Sequence, residues 1–320
     1  MLYSILKIWV RLAAKIFFSR IVVNKPQLLE SKGPLLLACN HPNSFLDAVL
    51  LDILFKRPIW SLARGDVFKK PLYIKLLYKL KILPVYRTRE GAENLEENYK
   101  TFNACKELFR QNSIVLIFSE GLCINEWHLR PLKKGTARLA FSTWQEGTPL
   151  KVLPVGINYS SFSRIGTNVL INFGELIESS NFNLNDVDGK NNLVFNQQLE
   201  SQLRRLVFEI PKDDYALQKE MLDIPLKVYW RTLLFLPALT GYLLNAPLFI
   251  PVKAYVRYRV KNTDHFDSVM MAALTFIYPG YLLVVSFVFF LITCSGYSLF
   301  SLIVLPFTAW CFVKLKNKIG

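Results

Sequence analysis

At 320 residues the chain has room for one large domain, or one domain plus an appendage. A net charge of +15 beside a 52% hydrophobic composition points to an anionic membrane surface, an anionic substrate, or both. A nucleic-acid partner is set aside, because no nucleic-acid-binding motif is present and the C-terminal third is strongly apolar.

The five cysteines (Cys39, Cys105, Cys123, Cys294 and Cys311) are odd in number and have neither disulfide-framework nor zinc spacing, which fits reduced thiols facing the cytoplasm. Residues 1–23 form an apolar stretch carrying Lys7, Arg11 and Lys15 four residues apart. Charges inside it argue against a signal peptide and for an amphipathic helix lying in the plane of an anionic membrane.

From Asn24-Lys25-Pro26 onward, strand and helix periods alternate. Strands are expected near 34–39, 58–62, 82–86, 113–118, 151–158 and 168–174, and helices near 44–55, 70–80, 92–111, 134–146 and 191–210. Such alternation predicts an α/β layered domain with a largely parallel sheet flanked by helices.

Within it, the apolar run Leu35–Cys39 ends in the polar turn Asn40–Asn43, and a helical pattern begins near Ser44. His41 and Asp47 therefore fall at a strand-to-helix junction, where α/β enzymes tend to place their chemistry. On one continuous helix they would face apart, so they meet only if His41 lies in the turn and Asp47 in the first helical turn. Two readings follow. In one, Asp47 orients His41 as a general base. In the other, Ser44-x-x-Asp47 is a capping box and His41 an ordinary loop histidine. His128 and His265 are the other histidines.

Between Lys56 and Arg89 cations are dense and Asp66 is the one acid, usually the mark of a solvated face. Arg87 and Arg89 differ, because they follow the strand Ile82–Tyr86 and so stand at its carboxyl end, where arginine can fork onto phosphate. A strand ending in Ser119-Glu120-Gly121 puts a carboxylate and a permissive glycine at the edge that carries His41. Lys133, Lys134 and the Gly135 backbone precede a helix, so they are placed to cradle a phosphate at its N-terminus. A serine elbow is excluded by the missing glycine before Ser119, and no P-loop is present.

Composition shifts again at Trp230. Leu233–Val252 is interrupted by Pro237, Asn245, Pro247 and Pro251, which predicts a broken, re-entrant or interfacial course. Ser268–Cys294 and Tyr297–Val313 are long and almost uncharged, and are expected to cross the bilayer as a hairpin with both ends cytoplasmic. The resulting division is a membrane-associating helix over 1–25, an enzyme domain over 26–225 and a membrane region over 226–320.

Four blocks, in order, resemble the glycerolipid acyltransferase superfamily that includes the bacterial lysophosphatidate acyltransferases. They are Asn40-His41 through Asp47; Ile82-Leu83-Pro84-Val85-Tyr86-Arg87; Phe118-Ser119-Glu120-Gly121; and Val152-Leu153-Pro154-Val155. The resemblance covers roughly 30–215. It implies that His41, held by Asp47, takes the proton of a glycerol hydroxyl that attacks the thioester of acyl-CoA or acyl-carrier protein. Glu120 and the Gly121 backbone would position the glycerol, and Arg87 its phosphate. No metal or other cofactor is implied.

Three features depart from the family pattern. Five residues separate His41 from Asp47 where four are usual, a form resembling some glycerol-3-phosphate acyltransferases. Leu122-Cys123 stands where Thr-Arg is usual, leaving Arg130, Lys133 or Lys134 to supply the cation. Tyr86 replaces a common acidic residue. The expectation is a membrane-bound O-acyltransferase of phospholipid synthesis, acting on lysophosphatidate. The rivals are acylation of glycerol-3-phosphate, a non-catalytic lipid-binding membrane protein, and a membrane hydrolase.

Overall fold

The computed structural model describes residues 2–86, 93–184, 188–261 and 263–316. Seven strands form one sheet in the order β1-β7-β6-β2-β5-β3-β4: β1 (Arg20–Val23), β2 (Leu35–Cys39), β3 (Ile59–Arg64), β4 (Ile82–Val85), β5 (Ile114–Phe118), β6 (Lys151–Tyr159) and β7 (Asn168–Phe173). The pairings β2–β5, β2–β6, β3–β4 and β3–β5 are parallel. β2 is buried along its whole length, as a central parallel strand covered on both faces must be, and this is why it reads as an unbroken apolar run.

Helices alternate with these strands: α1 (Leu2–Phe17), α2 (Phe45–Leu54), α3 (Pro71–Lys79), α4 (Glu93–Arg110), α5 (Gly135–Gln145), α6 (Asp188–Leu206) and α7 (Tyr215–Leu222). The layered α/β architecture expected from periodicity is present. β1 and α7 are additional to the expected elements. β1 occupies residues assigned on sequence to the N-terminal helix, because Arg20–Val23 extends the apolar stretch without a glycine or proline to break it.

The chain forms two compact units. The first comprises Met1–Lys7, Val23–Asn158 and Leu170–Lys212. Its core joins Leu36, Val115 and Val152 of the central strands to Phe141 and Trp144 of α5 and Phe195, Leu199 and Leu203 of α6. Gly156 lets the end of α6 settle on β6: a Cβ there would stand 2.5 Å from the Leu206 carbonyl oxygen. That oxygen accepts the side-chain amides of Asn158 and Asn172, both at 2.9 Å, which satisfies a helix C-terminal carbonyl. Lys7 turns toward Asp52, 3.5 Å away, and donates to the Arg57 carbonyl. Along α1, Leu2, Ile5, Ile8, Trp9 and Leu12 are exposed, and so are Arg11 and Lys15, so of the three cations Lys7 alone turns inward.

The second unit comprises Ile8–Val22, Tyr159–Val169 and Asp213–Gly320. It contains α8 (Val228–Arg259), α9 (Phe266–Thr293) and α10 (Ser301–Leu315). α8 runs unbroken for 32 residues through Pro237, Pro247 and Pro251, which corrects the expectation of a broken segment. Each proline removes one N–H and frees the carbonyl four residues earlier, those of Leu233, Leu243 and Pro247, a loss that long apolar helices tolerate. α8, α9 and the stretch Gly296–Leu315 are each long and apolar enough to cross a membrane. Gly241 permits close packing of α8 on α10, since a Cβ there would meet the Thr308 carbonyl oxygen at 2.0 Å.

Candidate active site

β2 ends at Cys39, and the turn that follows is fixed by Asn40, whose side-chain amide donates to the Ile157 carbonyl at 3.0 Å and whose oxygen accepts the Ile157 N–H at 2.8 Å. This two-way bond stitches the turn to β6 and requires an amide side chain. His41 lies in the turn and Asp47 in the first turn of α2, the one arrangement that lets them meet. His41 Nδ1 stands 2.8 Å from Asp47 Oδ2. The Asp47 side chain is fully buried, and Oδ2 also accepts the Asn43 N–H at 2.8 Å. A carboxylate oxygen accepts, so the bond places a proton on Nδ1, and in the neutral imidazole Nε2 then carries the lone pair.

The capping-box alternative does not form. Ser44 stands at the N-cap position with φ +52°, and its side chain makes no capping hydrogen bond. The Ser44 N–H points instead to Cys123 Sγ at 2.8 Å. The imidazole stacks on Phe118 at the end of β5, with centroids 3.7 Å apart and planes 10° from parallel.

Glu120 closes the site from β5. Only 4% of it is exposed, and its two oxygens accept the backbone N–H groups of His41 at 2.9 Å and Arg130 at 3.0 Å. Burial pushes this carboxyl up to about 7, against the two N–H donors that favour its charged form, while the nearby Asp47 charge pushes it up further. Gly121 follows with φ +66°, a left-handed turn that suits glycine, and its N–H returns to the Phe118 carbonyl at 3.1 Å.

Lys133 and Lys134 are exposed immediately before α5. The Lys133 N–H donates to the Ser119 carbonyl at 2.7 Å, and Thr136 donates to Ser119 Oγ at 3.0 Å, so the start of α5 is tied to the end of β5. Lys134 occupies the N-cap position without a side-chain cap. A helix N-terminus beside two exposed lysines is suited to an anion.

The structure thus brings His41, Asp47, Glu120, Gly121 and Lys133 into one hydrogen-bonded neighbourhood, with Lys134 adjacent. Arg87 and Arg89 lie outside the described residues. Tyr86, just before Arg87, has both backbone polar groups bonded to the Asn98 side chain, at 2.8 and 2.7 Å. Of the cations considered as replacements for the missing arginine, Arg130 is engaged with Glu126 at 2.6 Å. His128 pairs with Glu209, and His265 stands at the N-cap position of α9 without a side-chain cap. Asn40, Phe118 and Cys123 shape the site without having been singled out for it. Asn40 at the end of a buried strand was the one readable signal among them, since a buried amide needs partners.

A mostly parallel α/β sheet thus carries, at the carboxyl edge of its central strand, a histidine bonded to a buried carboxylate, the arrangement a general base uses. Residues 20–158 match the model of the Acyltransferase family. No curated protein matches the chain. Among solved structures, it is similar to the 1-acyl-sn-glycerophosphate (LPA) acyltransferase PlsC from Thermotoga maritima. The two are 18% identical over 58% of this chain and 73% of that one, with a TM-score of 0.41.

Proposed function

We propose that the chain is a membrane-bound O-acyltransferase of phospholipid synthesis that moves a fatty acyl group from acyl-CoA or acyl-carrier protein to 1-acyl-glycerol-3-phosphate, giving phosphatidate. The observation that carries this reading is the 2.8 Å bond between His41 Nδ1 and the buried Asp47 carboxylate. In this mechanism Nε2 takes the acceptor hydroxyl proton as the oxygen attacks the thioester carbonyl. Collapse of the tetrahedral intermediate breaks the C–S bond, and the imidazolium returns its proton to the departing thiolate. Asp47 stabilises the imidazolium in between.

Glu120 acts here as a positioning residue, because both its oxygens are taken up by backbone N–H groups. The exposed Gly121 backbone faces the glycerol, and Lys133, Lys134 and Arg87 receive its phosphate. The second unit lies in the bilayer: Val228, Ile292 and Phe276 are 77%, 75% and 66% exposed, more apolar surface than a water-soluble unit presents. The exposed apolar face of α1 adds an interfacial contact, and the catalytic domain faces the cytoplasm.

The test is to incubate the purified protein with each thioester donor and a panel of lysophosphatidate, glycerol-3-phosphate and glycerol lacking phosphate, and to identify products by mass spectrometry. Phosphatidate from lysophosphatidate is expected. Product from glycerol-3-phosphate alone would assign the first acylation instead, the alternative raised by the five-residue spacing of His41 and Asp47. Turnover by no acceptor would leave a lipid-binding protein.

A further inference from the structure

The second unit gathers cations that the acyl-transfer reading does not use. Phe249, Lys253 and Arg257 recur every four residues and so share one stripe of α8. Lys316, just past α10, meets that stripe: the ammonium groups of Lys253 and Lys316 lie 5.6 and 5.5 Å from the centre of the same Phe249 ring. Lys316 also sits 5.9 Å from the Phe312 ring, and the Arg257 guanidinium 5.8 Å from that of Phe266.

A fourth cation comes from the β6–β7 connection. A Cβ on Gly166 would stand 3.9 Å from Lys316 Cβ, and Arg164 lies two residues away. Arg164, Lys253 and Lys316 are all half-buried. None of the four is ion-paired among the described residues. Burial first, then Lys253 and Arg164, hold the Lys316 ammonium down at about 8, with the buried Asp267 acting the other way.

Partly desolvated like charges drawn from three segments cost stability unless an anion joins them. Lys316 also lines a cleft of about 710 Å³ whose walls include Phe235, Leu239, Tyr242 and Phe312. Three cations on its wall, Arg231, Lys314 and Lys316, against the acid Asp223, together with the aromatic and aliphatic lining, match an amphiphile with an anionic head.

We propose that Arg164, Lys253, Arg257 and Lys316 form a binding site for the phosphate of an anionic lipid headgroup, whose acyl part lies along the adjoining cleft. The proposal is independent of the acyl-transfer reading, since none of these residues belongs to the unit that holds His41. Basic pockets among membrane helices select such headgroups by charge, and apolar walls supply the remaining affinity.

The experiment uses the full chain in neutral detergent and follows thermal unfolding while phosphatidylglycerol, phosphatidylcholine or inorganic phosphate is added. Phosphatidylglycerol should raise the unfolding temperature saturably, as a ligand of the native state does. Phosphatidylcholine should not, and inorganic phosphate should need far higher concentrations. The double variant Lys253→Gln/Lys316→Gln should melt higher than wild type without lipid, because its repulsion is relieved. It should also bind phosphatidylglycerol at least tenfold more weakly, at about fivefold per cation removed. If that variant does not fold, Arg164→Gln, on a connection rather than a helix, should show the fivefold loss. Equal effects of the two lipids, or undiminished phosphatidylglycerol affinity in the variants, would overturn the site. Inorganic phosphate acting as strongly as phosphatidylglycerol would overturn the lipid assignment.

Discussion

The buried carboxylate of Glu120 accepts the backbone N–H of the proposed base, His41, at 2.9 Å. It thereby fixes where the imidazole stands, and its other oxygen fixes the loop at Arg130. Because this carboxyl is raised from its ordinary 4.5 to about 7, chiefly by burial, the native state holds its proton more tightly than the unfolded chain. Stability from this group is therefore full below the ordinary value and is lost as pH rises through about 7. The loss is on the order of 3 kcal/mol. Glu120→Gln should flatten the pH dependence of the melting temperature across that window. It should also lower kcat, because an amide offers one acceptor where two N–H groups need one each. An unchanged pH slope in the variant would show that another group sets it.

His41→Ala should reduce acyl transfer by roughly 10²–10⁴-fold, the usual contribution of a general base, with little change in melting temperature. Asp47→Asn is the sharper probe. Asparagine could still accept the Asn43 N–H, so a purely local structural role would survive the change. A role in orienting His41 and stabilising its charged form would not, and most activity should be lost. Full activity in Asp47→Asn at an unchanged melting temperature would refute the orienting role.

The pairing of His41 with Asp47 was legible because it rests on local rules. A buried apolar run ending in a polar turn, then a helical period, leaves His41 and Asp47 one way to meet. The task of Glu120 was not legible. Its partners are backbone N–H groups, which carry no residue signature, and one of them is 79 positions away. β1 was hidden because its four residues continue the apolar stretch of α1. The prolines of α8 misled in a different way. The rule that proline ends a helix is drawn from helices in water, and it weakens in long apolar helices, where α8 continues through all three.

Packing at the end of α6 supplies a stability test independent of catalysis. Gly156→Ala would force a Cβ to 2.5 Å from the Leu206 carbonyl oxygen and 2.6 Å from its carbon, backbone atoms that cannot turn aside. The cost should be about 1–3 kcal/mol, as for other overpacked core positions. It should be read as a lower melting temperature with acceptor and donor KM unchanged in the protein that remains folded.

The last prediction concerns the cations before α5. Lys133 is tied through its backbone to Ser119, and both Lys133 and Lys134 leave their side chains exposed at an uncapped helix start. If they receive the acceptor phosphate, the double variant Lys133→Ala/Lys134→Ala should raise acceptor KM by about tenfold or more, the scale of a lost charge-assisted contact. Donor KM and kcat should change much less, because uniform binding is lost rather than transition-state stabilisation. Arg87→Ala should follow the same pattern. Comparing lysophosphatidate with a monoacylglycerol that lacks the phosphate separates the two possible roles. The wild-type preference for the phosphorylated acceptor should shrink in the variants, whereas equal losses on both acceptors would mean that these lysines serve the fold or the donor.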